Sequence, residues 1–441
     1  MTLTSIIALI IVWILILLPT LIFWETEINS DKVRELIRPS GRLYRKSKVT
    51  LSLFLSSFVV ILTIYSHFSL IYSVVLIEII SFVFIGVATK QNGEKSIKSI
   101  MSKESIVAYL IPSLFSYVLA LVSLGLSANV TEAVFISLSR LEESKFSILG
   151  ISMASLLMSI SLLIKMGIFP FFIYTLNVNK GISWGGIVFV GIIAKLPVIV
   201  VMIYYGATIG PNILMLCGVI SMVIAPIAAF STQHAKKFMA CSSLAAMGWL
   251  TAGIGCFKGA STVGIQNSPQ WTFTVWAFYL VYSISTILLI TVLNYVHPVF
   301  FSSYKGEIQG CNDEVGPRSN LWLRKVGIIS LFTQMGIPPL AFFWAKLLII
   351  IGVINSGKMI LVVSLLLFTI IMVCFYFWML WNISKERKKE LLGIGISGLP
   401  NMVVRINLPH QIVGERGSSL NGVMVLSSIL VCIMTGIVIW M

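Results

Sequence analysis

Residues 158–173 read MSISLLIKMGIFPFFI, and residues 334–343 read QMGIPPLAFF. Each sets the string Met-Gly-Ile-x-Pro inside an apolar run that is otherwise fit to be a helix. Proline removes a backbone donor and glycine loosens the turn, so both helices are predicted to be discontinuous, at Gly167 and Pro170 and at Gly336, Pro338 and Pro339. Broken backbone survives at membrane depth only inside protein or beside a water-filled cavity. The first stretch also leaves Lys165 flanked by Leu162, Leu163, Ile164, Met166 and Ile168.

The surroundings are those of a bilayer. Of 441 residues 58% are hydrophobic, mean hydropathy is +0.99 and 11% are charged, where a soluble domain carries roughly 25%. Twelve apolar runs are long enough to cross ~30 Å of hydrocarbon as helices: 4–24, 49–67, 69–88, 106–127, 148–172, 184–206, 209–230, 239–256, 271–296, 326–352, 357–382 and 421–440. The first has neither a basic leader nor a small-residue cleavage site and is expected to span rather than be removed. The predicted fold is therefore an all-α polytopic membrane protein.

The six cysteines show no C-x-x-C spacing, and five of them (Cys217, Cys241, Cys256, Cys374, Cys432) fall in apolar helices, where a thiol serves as a small hydrophobe. His67, His234, His297 and His410 stand at helix ends or in loops without a second ligand at metal spacing. No metal or cofactor site is expected, and nucleotide loops and nucleophile motifs are absent from the sequence.

A net charge of +15 invites a nucleic-acid reading until the 31 Lys and Arg are placed. Loops on one side (25–48, 89–105, 173–183, 231–238, 297–325, 383–420) hold 24, and opposite loops (128–147, 257–270, 353–358) hold four. That is the positive-inside pattern, with both termini on the outer side and the basic loops in the cytoplasm or matrix. Charge encodes orientation, and no nucleic-acid partner is expected. The basic segments 31–48 and 384–392 read as solvated loops, with an amphipathic surface helix the alternative for 31–48.

Three lysines belong to no loop: Lys165, Lys195 and Lys346. Among 16 acidic residues one lies inside a span, Glu78 in SVVLIEIISFVFIGV. An ionisable group at mid-membrane costs roughly 2.5–3.5 kcal/mol on insertion scales, so these four must face the bundle interior or water. The bland alternative is one structural salt bridge plus two snorkelling lysines. Glu78 is the buried anion available to Lys165, and how near it stands decides whether the lysine keeps its proton. Lys195 and Lys346 have no buried carboxylate left and are candidates to carry a proton transiently.

Counted from residue 49, the first break falls in the fourth helix of a five-helix set, and counted from 209 the second does the same. Five being odd, the second set enters from the opposite side. The expected organisation is an N-terminal helix and basic loop (1–48), two inverted five-helix repeats (49–208 and 209–382), and a basic loop with a last helix (383–441), with sites near the midplane at the broken helices.

The run KMGIFPFFIYTLNVNKGISWGGIVFVGIIAK (165–195) resembles the K-x-G-x-x-P-F-H-F-W…Q-G…K core of the antiporter-like subunits of respiratory NADH:ubiquinone oxidoreductase, complex I. KKFMACSSLAAMGWL (236–250) is similar to the family's K-R-x-L-A-Y-S-S-I-x-H-x-G-W, and GIPPLAFFWAKL (336–347) to G-I-P-P-L-A-G-F-F-x-K. A lysine at 346 favours the chain 2 branch over chain 4. The resemblance implies that Glu78 and Lys165 are the ion pair, Lys195 the central relay lysine and Lys346 the lysine of the second broken helix. Departures are Phe172 and Ala246 where histidines are usual and Cys241 in place of a tyrosine, so auxiliary shuttling through those histidines is not expected.

What the resemblance implies is a proton-translocating subunit that couples quinone reduction elsewhere in the complex to pumping, with no redox site of its own. FMN, Fe–S clusters and ubiquinone would belong to other subunits, and the partners would be other membrane-arm subunits and lipid. One helix before residue 49, where bacterial relatives have three and animal mitochondrial ones none, points to the mitochondrial inner membrane, with a bacterial plasma membrane as the alternative. Other readings are a stand-alone cation/proton antiporter subunit, a different antiporter-like chain of the same complex, and an assembly scaffold whose lysines are relics.

Overall fold

The structure, a computed structural model, describes residues 70–88, 97–127, 147–148, 151–182, 184–205, 210–231, 235–259, 269–300, 329–337 and 340–393. The expected spans 4–24, 49–67 and 421–440, and both Pro338 and Pro339, lie outside the described residues. In chain order the helices are α1 (Leu70–Ala88), α2 (Ile97–Ser127), α3 (Met153–Met166), α4 (Phe172–Gly181), α5 (Trp184–Gly191), α6 (Leu196–Tyr205), α7 (Pro211–Phe230), α8 (Ala235–Gly259), α9 (Pro269–Phe300), α10 (329–335), α11 (Ala341–Asn355) and α12 (Met359–Gly393). Among the described residues six stretches are long and apolar enough to cross a membrane, with shorter apolar helices at Ser73–Phe82, Met153–Met166 and Ala341–Asn355. Helices suit this setting because each satisfies its own backbone where no water can.

Several boundaries differ from the sequence reading. SKERKKELL (384–392), read as a loop, continues α12 to Gly393, because Lys, Glu, Arg and Leu are strong helix formers and the first glycine of the run comes there. Segment 173–183 likewise is mostly α4, with Lys180 in its last turn. α3 starts at Met153 rather than 148, since Ser147–Ile148 pairs antiparallel with Ile151–Ser152 and those residues are extended.

Burial grades the helices from centre to rim. Some 94% of the apolar stretch of α8 is buried, against 28% of that of α2. Ile111, Phe115 and Val118 on α2 and Ile360, Val363 and Ile370 on α12 point outward, as a lipid-facing surface requires. Hydrophobicity cannot choose between helix and lipid as a neighbour, so packing and hydrogen bonds must fix the contacts. α7 and α8 do it with glycine: a methyl group at Gly255 would stand 2.5 Å from the Pro211 carbonyl, and one at Gly218 2.6 Å from the Ala252 nitrogen. Backbone lies on backbone there.

α2 and α3 are joined by hydroxyls instead. Ser123 donates to the Ala154 carbonyl at 2.7 Å, and seven residues away on each helix Ser161 donates to the Ser116 carbonyl, also at 2.7 Å. The next rung along this antiparallel pair is Lys165 to Ser113. Fold and site thus share one line of contacts.

Candidate functional site

α3 ends at Met166, and Gly167 takes a positive φ of 67°, a conformation that favours glycine. Lys165 therefore sits in the last turn before a break. Its ammonium donates to Glu78 Oε2 on α1, to Ser113 Oγ on α2 at 2.5 Å and to Ser81 Oγ at 3.0 Å. Three donors meet three acceptors. Ser113 is also 3.3 Å from Glu78 Oε1, and Tyr109 shares a hydrogen bond with Ser81. The lysine and glutamate side chains are 8% and 7% exposed, so the pair is sealed from solvent inside a ring of hydroxyls.

The second break repeats two of the backbone bonds of the first. Gly336 has φ 74°, and its N–H reaches the Thr333 carbonyl at 3.0 Å as that of Gly167 reaches Ile164 at 3.0 Å. One turn on, Leu340 N–H to Ile337 (2.9 Å) matches Phe171 N–H to Ile168 (2.8 Å). The charges do not repeat. Two residues before Gly336, in the place of Lys165, stands Gln334, buried and donating to Ser285 Oγ on α9 at 2.8 Å. The lysine of this break, Lys346, comes from α11 and returns to the Met335 carbonyl at 3.2 Å, with the Phe342 ring 4.6 Å from its ammonium. A cation on the carbonyl end of a half-helix and over an aromatic face is held there with no counter-anion among the described residues.

A third discontinuity stands where the sequence reading expected an unbroken helix. α5 stops at Gly191, Ile193–Lys195 form a single 3₁₀ turn, and α6 resumes at Leu196. Gly191 and Pro197 bracket the turn, and Pro197 cannot donate the bond that an unbroken helix would need. Lys195 occupies this turn, is 4% exposed, and donates to Ser243 Oγ on α8 at 3.1 Å. The signal GIIAKLP was present in the sequence.

Each interruption frees backbone groups that lipid cannot satisfy. Tyr174 donates to the Ile164 carbonyl, the Phe169 N–H reaches Ser221 Oγ on α7 at 2.9 Å, Lys346 covers Met335, and Tyr279 on α9 covers Ile192. None of these caps was foreseen. Pro170 lies in the turn between α3 and α4, Phe172 opens α4, and Cys241 and Ala246 are buried along α8. Among the described residues no three His, Cys, Asp or Glu side chains are grouped to hold a metal ion.

Apolar spans interrupted at buried ionisable side chains define a polytopic membrane protein of the discontinuous-helix type. The sequence profile of the NADH:quinone oxidoreductase/Mrp antiporter transmembrane family matches residues 68–372, and the chain belongs to that family. It is 25% identical over 219 residues to NADH-quinone oxidoreductase subunit N of Campylobacter lari, covering 48% of this chain and 45% of that one. To NADH-ubiquinone oxidoreductase chain 2 of Oenothera berteroana it is 26% identical over 263 residues, covering 55% and 50%. The chain thus spans about half the length of the curated relatives it matches. A chain of respiratory complex I from Thermus thermophilus shares the fold at TM-score 0.62 and 16% identity over 97% of this chain and 83% of that one. A chain of an Mrp complex from Dietzia does so at 0.58 and 15%, over 76% and 65%.

Proposed function

We propose that this chain is a proton-translocating membrane-arm subunit of a respiratory NADH:quinone oxidoreductase, of the subunit N or chain 2 kind. It carries no redox centre itself. Its partners are the neighbouring membrane-arm subunits, and FMN, Fe–S clusters and quinone belong to other chains. The observation that carries this reading is the sealed Glu78–Lys165 pair at a helix break, with Lys195 buried and Lys346 half-buried at two further breaks and bound by a hydroxyl and a carbonyl.

The energetics fit. Carrying one charge against 100 mV requires about 2.3 kcal/mol, whereas opening a buried ion pair on one side costs about 3–5 kcal/mol. Remaking one such pair releases enough to lift one proton. Separation of Glu78 from Lys165 leaves an uncompensated ammonium that sheds its proton toward Lys195 and Lys346. Those two, with no carboxylate partner among the described residues, pass the proton on, and it leaves by the poorly charged side. The hydroxyls of Ser81 and Ser113 can follow either partner as the pair opens, donating or accepting as required.

The matching backbone bonds at Gly167 and Gly336 support two inverted five-helix repeats, 49–208 and 209–382, within a chain of about twelve spans. Basic loops then face the matrix or cytoplasm, in a mitochondrial inner membrane or a bacterial plasma membrane. The test is pumping by the assembled complex in proteoliposomes. Lys195→Met or Glu78→Gln is expected to lower protons moved per electron, and full retention in both sinks the mechanism. A second reading, a cation/proton antiporter subunit outside any respiratory complex, draws on the likeness to the Mrp chain. Co-purification with flavin and Fe–S proteins in mild detergent separates the two.

A further inference from the structure

Helix α9 holds Lys195 from two directions. Ile192, at φ −124° and ψ −65°, leaves helical geometry just before the 3₁₀ turn. Its carbonyl is the acceptor for the N–H groups of both Lys195 and Leu196, each at 3.3 Å, longer than an ordinary helical bond. The third donor to the same oxygen is the fully buried Tyr279 hydroxyl. One turn along α9, Tyr282 packs on Tyr279 with ring centroids 6.4 Å apart, and its hydroxyl lies beside Ser243, the residue to which the Lys195 ammonium donates. Tyr279 thus ties down the backbone from which Lys195 springs, and Tyr282 stands against Tyr279 and beside the hydroxyl on which the lysine side chain ends.

We infer that Tyr279 and Tyr282 are positioning residues that jointly fix where the Lys195 ammonium stands. The inference rests on Lys195 carrying a proton, as proposed above. A phenol is suited to the task because its ring is locked by packing while its O–H supplies one directional bond in a setting without water. Losing that bond lets the 3₁₀ turn relax toward the helix on either side, which rotates Lys195 away from Ser243.

Tyr279→Phe and Tyr282→Phe keep the rings and remove one O–H each, so the complex is expected to assemble, at a level checked by native gel. In proteoliposomes driven by NADH and a soluble quinone, each is expected to slow proton transfer per enzyme about two- to tenfold, the worth of one hydrogen bond. Each should also move the pH profile of pumping by about half a unit or more. Ser283→Ala on the same helix, whose hydroxyl donates to the Leu280 carbonyl of its own turn, is expected to change neither. Wild-type yield and pH profile in both Phe variants, while Lys195→Met has lost pumping, overturns the positioning role alone. Full pumping by Lys195→Met removes the proton-carrying reading and this inference with it.

Discussion

Lys346 lies over Gly336: a methyl group on that glycine would stand 3.1 Å from the lysine Nζ and 3.3 Å from its Cδ. The glycine thus serves twice, once for its positive φ and once for the room it leaves. Gly336→Ala costs about 1–3 kcal/mol in backbone strain and also unseats the lysine from the Met335 carbonyl. Gly357 has the same conformation, φ 76°, with nothing within 4 Å of an added methyl. Gly357→Ala therefore measures strain alone. The expected result is comparable thermal destabilisation in both variants with proton yield falling only in Gly336→Ala.

Removing one partner of the sealed pair leaves the other buried without its counter-charge. Glu78→Gln alone and Lys165→Met alone are each expected to destabilise by about 3–5 kcal/mol, visible as lower abundance of assembled complex. The double variant Glu78→Gln/Lys165→Met buries no net charge and is expected to recover abundance while staying inactive in pumping. Recovery of pumping in the double variant would show that the pair is only structural.

The α7–α8 contact is predicted to tolerate no added volume. Gly255→Val drives side-chain carbons into the Pro211 and Met215 backbone, and overpacking of this kind costs about 1–3 kcal/mol or more. A lower melting temperature in detergent is the expected readout. An unchanged one would mean that the two helices are free to separate.

The serine rungs between α2 and α3 are worth less. Ser161→Ala removes one interhelical hydroxyl–carbonyl bond, expected to cost about 0.6 kcal/mol, the average for such bonds in a bilayer. Pumping should persist, because this rung lies one helical turn from Lys165 and touches neither member of the pair.

What could be read from the sequence was what a bilayer punishes. Four ionisable groups in apolar runs stand out because each is costly there, and Met-Gly-Ile-x-Pro stands out because it breaks a helix that otherwise should not break. The hydroxyls that serve those groups did not stand out. Ser81, Ser113 and Ser243 are ordinary in membrane helices, and only proximity in space makes them ligands of a lysine. Tyr174 and Tyr279 look like any amphipathic aromatic until a freed carbonyl is found in front of each. The turn at Lys195 has its signal in the sequence as well, but its glycine and proline are six residues apart and not within one short motif. The basic end of α12 reads as a loop by its charge alone, yet Lys, Glu and Arg continue a helix well.

The glutamine at position 334 makes the two interruptions electrically unlike. At the first, the cation before the break has a carboxylate beside it, so parting the two would expose charges of both signs; at its counterpart an amide holds that place, and the cation, Lys346, comes from the following half-helix to a backbone carbonyl. Two breaks built on the same glycine turn are therefore not interchangeable: in the proposed mechanism the first offers a dipole that a change in the local field can pull apart, and the second a single charge that it can push.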